Sequence, residues 1–366
     1  MGLDREEILA RCARQHKRAD WADMKETIGK SSDTIWSLLF TAILLSFYFI
    51  YFLLRIDPKL IYQAQEPVFF FARYFIYEFF SYPGGVNELL SAFLSQFFYY
   101  SWTGALLQVL VFALVTLNTW LLIRSITTIR PILFLHWIPS IILLALHSNY
   151  SFPLVLTLGV LWALLCVNIY IRLAPSKSML RLPLYLVLQA VLYYVTAGQA
   201  FIFSLFIVLY EILDHRSVIL PLLYTLFAVL LPWIGASALF IISIRDAYTM
   251  NLISCDAYRV TWLSWVLYGF FPLVLFMAAF ERRYIKAGEN IWSRLLCRRS
   301  AAILLVQAVM ILSLAAVSAL YSYNKREKAF YLIDHYMRFE EWQKVLDIAQ
   351  RGLPINNVVQ CQVNRA

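Results

Sequence analysis

Charge is what this sequence has least of. Only 14% of its 366 residues are Asp, Glu, Lys or Arg, while 61% are hydrophobic and 17% aromatic. A soluble domain carries about 25% charged residues, so this chain cannot clothe a globule of its size. Disorder needs low hydrophobicity and high charge, and is excluded by the same figures. The five cysteines (Cys12, Cys166, Cys255, Cys297, Cys361) form no CxxC pair and no Cys/His spacing suited to zinc, which removes disulfide scaffolds and zinc modules. No Walker A loop, GxSxG elbow, HExxH helix or dinucleotide fingerprint is present. Their absence argues against an ATP-driven pump or a soluble-type hydrolase. The start is not a signal peptide either: residues 1–33 mix seven basic and seven acidic side chains before any apolar run, the pattern of a retained cytoplasmic segment.

What is present is a series of apolar runs of membrane-crossing length, about 20 residues each. They predict an all-α polytopic membrane helix bundle of about nine spans within residues 34–322. Six spans are plain, near 34–56, 102–124, 131–147, 152–172, 258–280 and 303–321, and 218–244, with Pro221 and Pro232 inside, reads as one kinked span. Residues 182–213 are harder, because as one helix they would be about 48 Å long against a hydrocarbon core of about 30 Å. Thr196-Ala197-Gly198-Gln199 interrupts them, and two short spans, 182–196 and 199–213, are the alternative. Charge decides. Nine spans with a cytoplasmic N-terminus leave 19 Lys and Arg inside and 5 outside, the tail excluded. Eight would export the six basic residues of 281–299, against the positive-inside rule. The expectation is a multi-pass protein of a bacterial inner membrane, N-terminus cytoplasmic and C-terminus extracytoplasmic. The formal net charge of +9 then belongs to the flanks of membrane helices, and nucleic acid is not expected as a partner.

Residues 57–101 form a long first outer loop. Its two aromatic-rich segments, 67–80 and 86–100, flank Tyr82-Pro83-Gly84-Gly85, where proline and paired glycines break the chain. Glu88, Ser91, Ser95 and Tyr99 share one helical stripe opposite Leu90, Phe93, Leu94, Phe97 and Phe98. The segments read as amphipathic helices in the outer interface, or as a re-entrant element packed on the bundle. The tail, 323–366, becomes soluble in composition. Its stretch 339–354, with Leu346, Ala349 and Pro354, resembles the second half of a tetratricopeptide repeat, though Trp342 and Phe330 depart from that pattern. A solenoid needs about three repeats, so the tail is expected to be the start of a longer array or to dock on the membrane part.

The order of these features resembles an uncharacterised family of multi-span membrane proteins from Bacteroidetes that end in tetratricopeptide-like repeats. The resemblance rests on the Tyr82–Gly85 loop with Glu88, the His147-Ser148-Asn149-Tyr150 turn, the Thr196–Gly198 break and the tail. It brings no activity with it. A second resemblance, in layout alone, is to the GT-C type glycosyltransferases that use polyprenyl-phosphate-linked sugars. That likeness implies a catalytic carboxylate near the start of the first outer loop and a lipid-linked sugar as partner.

Glycosyl transfer would need a carboxylate base and cations for the leaving phosphate. The candidate carboxylates are Asp57, which directly follows the first span, Glu66 and Glu88. The candidate substrate-binding groups are Arg73, His147, Asn149, Arg245, Asp246, Asp256 and Arg259. The plainer reading pairs these charges with one another or with lipid headgroups. His136 and His147 lie three helical turns apart on one face, which could relay a proton or hold a metal; no further ligand spacing supports a metal, and no cofactor is indicated. Asn118, Asn168, Gln189 and Gln307 read as interhelical hydrogen-bonding residues. The alternatives to a transferase are a non-catalytic anchor whose tail binds a partner protein, and a transporter with a discontinuous helix at Gly198.

Overall fold

The computed structural model describes residues 35–127, 134–174, 178–215, 218–252, 262–284, 301–350 and 357–366. Among them every regular element is helical. Seven helices are long and apolar enough to cross a bilayer, which marks the chain as a multi-pass membrane protein. Lipid offers no partner for a backbone N–H or C=O, and a helix satisfies both within itself. Hydroxyls follow the same logic: Thr116 and Thr119 within α5, and Ser148 just past the end of α6, each donate to the carbonyl four residues back, at 2.8 Å.

Two units divide the chain between Phe47 and Tyr48. In the first, the described residues begin helix α1 (Ile35–Ile56), where Thr41 Oγ1 donates to Ser37 O at 2.8 Å. The second holds everything else. After the end of α1 come α2 (Pro58–Gln65), α3 (Arg73–Phe79) and α4 (Gly85–Ser95), then the long α5 (Ser101–Ile126). A short α6 (Ile138–Leu146) and the turn at His147 lead into α7 (Leu154–Leu173).

The next stretch, Leu180–Asp214, counts by length as one apolar helix of 35 residues. It is folded back on itself. Arg181 Nη1 lies 3.2 Å from Glu211 Oε2, whereas thirty residues of straight helix would hold them about 45 Å apart. Helix α8 (Ser178–Thr196) and helix α9 (Ala200–Tyr210) are therefore antiparallel, with Tyr185 and Gln189 both bonded to Ser204. A 3₁₀ turn at Ala197–Gln199 makes the tip, with Ala197 left-handed at φ 52°. Gly198 is required there. Its N–H donates to Met250 O at 3.0 Å, and a Cβ would sit 2.8 Å from Tyr248 O and 2.9 Å from Met250 O.

Beyond the hairpin follow α10 (Ile219–Ile234), α11 (Ile244–Thr249), α12 (Trp262–Tyr284) and α13 (Ala301–Ser322). The tail adds α14 (Lys325–Arg338), α15 (Trp342–Ala349) and α16 (Asn357–Arg365). These three share a small core of Ile333, Val345 and Val359. Asn324 caps α14, its Oδ1 accepting from the N–H groups of Arg326 and Glu327 at 3.1 and 3.3 Å.

Contacts sort the helix ends of the second unit into two groups. At one end, the cap, Asp57 meets Ser101, Tyr150 meets Ile56, Gly84 meets Tyr194 and Gly198 meets Met250. At the other, the base, Arg181 meets Glu211 and Arg282 meets Asp214. Helix α4, at the cap, is turned the opposite way from a helix lying in water. Asn87, Ser91 and Ser95 are buried, while Phe93 and Phe97 are 36% and 44% exposed. Where lipid is the solvent the aromatic face belongs outside and the polar face against protein.

Candidate functional site

The cap collects the carboxylates and cations singled out in the sequence, and its centre is Asp57. The last turn of α1, Tyr51–Ile56, is π-helical. Pro58 then opens α2, and a proline disfavours helical dihedrals in the residue before it. Asp57 takes a left-handed conformation, φ 65° and ψ 90°, a strained state for a residue with a side chain. Its Oδ1 accepts from Ser101 Oγ at 2.5 Å, and Lys59 Nζ stands 3.5 Å from Oδ2.

The carbonyls released where the π turn ends are taken by the tail: Lys328 Nζ donates to Leu54 O at 3.1 Å and to Arg55 O at 2.7 Å. Burial lowers the Lys328 ammonium pKa, an effect that Arg55 and Lys59 reinforce and Asp57 opposes. Arg55 lies over the Tyr323 ring, 5.1 Å from its centroid. One strained carboxylate thus sits among three cations, one of them supplied by the tail.

The tail is fastened along α2 as well. Gln63 bonds both Asp334 and His335, the latter at 3.2 Å, and Arg338 reaches Glu66 at 2.9 Å. Glu66, left-handed at φ 42°, ends α2. It and Arg338 are largely exposed, so their pair contributes little alone. Partial burial lowers the His335 imidazole pKa, with Lys59 adding to the effect.

Glu88 lies elsewhere in the cap. Its carboxylate accepts from Tyr82 Oη and Asn251 Nδ2, both at 2.9 Å. Burial raises its pKa, while these two bonds work against the rise. Three left-handed residues meet beside it: Gly84 (φ 88°), Ala197 (φ 52°) and Asn251 (φ 58°). A Cβ on Gly84 would fall 2.8 Å from Asn251 Nδ2 and 3.0 Å from Ala197 Cβ. The loop at Tyr82–Gly85 and the break at Thr196–Gly198, far apart in sequence, are one packed junction. The His147 turn joins them through the start of α7. Asn87 donates to Val155 O at 2.9 Å and Gln199 to Leu156 O at 3.2 Å, while His147 Nε2 bonds Thr157 Oγ1 at 2.7 Å.

The other predicted site residues are dispersed. Arg73 is exposed at the start of α3. Asn149 Oδ1 accepts from the backbone and hydroxyl of Ser151, closing its own turn. Arg245 and Asp246 are exposed on α11, and Ser243 Oγ donates to Asp246 Oδ2 at 2.7 Å. Asp256 and Arg259 lie outside the described residues. Among the described residues no group of three or more His, Cys, Asp or Glu could hold a metal ion. Asn168 does bridge helices, donating to Asn118 O at 3.0 Å.

Sequence reasoning missed the base. There Glu211 is 1% exposed and Arg181 9%. The Glu211 carboxylate also accepts from Tyr170 Oη at 2.7 Å, and Tyr170 bonds Tyr224 at 3.0 Å. The sequence put Arg181 in a loop and Glu211 inside the expected span 199–213, and only the fold-back of α8 on α9 shows that they meet.

Residues 32–366 match a family described as a family of unknown function, DUF6057. No curated protein and no solved structure matches the chain.

Proposed function

The chain belongs to the DUF6057 family, and from its geometry we propose a membrane anchor that presents its C-terminal helices, rigidly oriented, on the extracytoplasmic side. The observation that carries this reading is the fastening of α14 to the cap. Lys328 closes the end of α1, and Asp334, His335 and Arg338 line α2. A flexibly tethered tail would need none of these contacts. The carboxylates expected to do chemistry are instead spent on structure: Glu66 on Arg338, Glu88 on Tyr82 and Asn251, Asp246 on Ser243. The extracytoplasmic placement is supported by the positive-inside count and by the hairpin, which brings the two ends of 178–215 to the same side. The three tail helices, packed on Ile333, Val345 and Val359, then serve as a helical surface for a protein partner. Photo-crosslinking residues at Phe339 and Val358, both exposed, are expected to trap a discrete protein in cells. Crosslinks to lipid alone, or none, would refute the anchor.

A second reading is favoured by the strained Asp57 among Arg55, Lys59 and Lys328. That set has the parts for transferring a sugar from a lipid-linked phosphate, with the carboxylate as base and the cations holding the leaving phosphate. It makes Asp57→Asn the discriminating variant. A folded, membrane-inserted D57N protein that still supports the cellular phenotype of the wild type removes Asp57 from any mechanism. Loss of the phenotype with the tail crosslinks intact would favour the transferase.

A further inference from the structure

The end of α1 is held in a conformation that it would not keep alone. Residues Tyr51–Ile56 are π-helical, and the Asp57 N–H donates to Phe52 O, five residues back, at 2.8 Å. Such turns are rare and occur mostly as single bulges within α-helices. Asp57 is then left-handed, a state that persists only where surrounding structure over-determines it. Ser101 holds its carboxylate from α5, but the backbone of the turn is held from the tail side. The last carbonyls of a helix have no partner within the helix. Here Lys328 Nζ takes those of Leu54 and Arg55. The next, Ile56 O, accepts from Tyr150 Oη at 2.7 Å, and the Tyr150 ring packs on Tyr331 of α14, 5.1 Å between centroids. The turn's side chains point the same way: Arg55 lies over Tyr323, and Tyr51 Oη donates to Ala319 O on α13 at 3.1 Å.

What fastens α14 over this turn is of a different kind from what folds the tail. The tail's own core joins Ile333 of α14 to Val345 and Val359, with Phe330, Tyr336 and Met337 packed around them, and includes no residue of α2. The seam between α14 and α2 is polar. Gln63 bonds Asp334 and His335, and Arg338 bonds Glu66, whose side chain is 65% exposed. Groups of this kind exchange one another for water at small net cost. Helix α14 can therefore lift from α2 without the tail unfolding. Lifting it takes Lys328 and Tyr331 away from the end of α1, and the carbonyls of Leu54 and Arg55 lose their donor.

We infer that α14 is a strap that sets the end of α1: docked on α2 it holds the π turn and the left-handed Asp57, and lifted it releases both. This coupling is a property of the chain alone and stands apart from the anchor and transferase readings, since it needs neither partner nor substrate. Amide hydrogen exchange of the full chain in nanodiscs tests it at the Asp57 N–H, the donor of the π-helical bond to Phe52 O. Asp334→Ala with Arg338→Ala cuts the seam at a distance, because these two side chains bond Gln63, Glu66, Gln362 and each other, none of them in the turn. Exchange at Asp57 is expected to quicken several-fold, together with that of α14, while the amides of α15 keep their protection. Gln63→Ala, which leaves the tail sequence untouched, is expected to act in the same direction should the tail variant not fold. Lys328→Met removes the donor to Leu54 and Arg55 outright and is expected to quicken Asp57 exchange at least as much. An Asp57 amide as protected as in the wild type when α14 exchange has quickened, or in Lys328→Met, would overturn the inference.

Discussion

The Arg181–Glu211 pair offers the sharpest test of the hairpin. Replacing one partner leaves the other charge buried and unpaired, which costs about 3–5 kcal/mol. Both ends of this pair are enclosed, at 9% and 1% exposure, so water does not compensate. Glu211→Gln keeps the shape and one acceptor for Tyr170 but strands the guanidinium. It is expected to fall in that range, as is Arg181→Met. The double variant removes both charges, and apolar replacement of a buried pair is often neutral or stabilising. It should therefore recover most of the loss, with a coupling energy well above the roughly 0.5 kcal/mol error of additivity for independent sites. Tyr170→Phe removes one hydrogen bond to a charged acceptor and should cost about 1.5–3 kcal/mol. Reversible unfolding in mixed micelles, read by tryptophan fluorescence, gives these values. If Glu211→Gln and Arg181→Met each cost under about 1 kcal/mol, the pair is not buried. If the double variant costs the sum of the singles, the two charges do not meet and α8 does not fold back on α9.

Other expectations are more local. Gly198→Ala places a methyl against two backbone carbonyls that cannot move aside, and should destabilise the hairpin tip by about 1–3 kcal/mol; an unchanged unfolding midpoint would mean the tip is open. The pKa of His335 is lowered by burial, so tail docking is at full strength above about pH 6.5, where the undocked chain is neutral too. Below that, docking weakens as the undocked state takes up the proton first. Hydrogen exchange in α14 should quicken as pH falls, and His335→Gln should flatten the response. Glu88 has the opposite sign: burial raises its pKa, so stability falls as pH rises above its ordinary 4.5, and Glu88→Gln should remove that slope. Cys361 is exposed; a membrane-impermeant thiol reagent should label it in intact cells, and protection there would put the tail in the cytoplasm.

The apolar runs made the class of fold legible, because a bilayer admits so few structures that length and hydropathy go most of the way. The break at Thr196–Gln199 was legible for a related reason. Thirty-two apolar residues fit no ordinary span, and a glycine flanked by polar residues marked where the excess could fold. The face of α4 was not legible. Its stripe of Glu88, Ser91 and Ser95 gives the same periodicity whether the polar side meets water or protein, and periodicity carries no information about which solvent lies outside. The structure buries Asn87, Ser91 and Ser95 and leaves Phe93 outside.

The charges show the same limit from another side. Asp57 could be singled out because it follows a span and precedes a proline, both local facts, and the structure finds it strained. Its neighbour Lys328 could not, since 271 residues separate them and the contact depends on α14 lying along α2. Arg181 was counted as a loop residue because it precedes an apolar run, and Glu211 fell inside the span 199–213. In a bundle whose helices are joined at their ends, however, the end of one run faces the end of another. Two ions thirty residues apart in sequence can thus pair away from water once the helices meet. Topology counts that treat every terminal Arg as free positive charge consequently overstate the base of this protein by two, since Arg181 is paired there with Glu211 and Arg282 with Asp214. Leaving Arg181 and Arg282 out of the count lowers the expected inner total from 19 to 17 against 5, and the positive-inside argument for nine spans survives the correction.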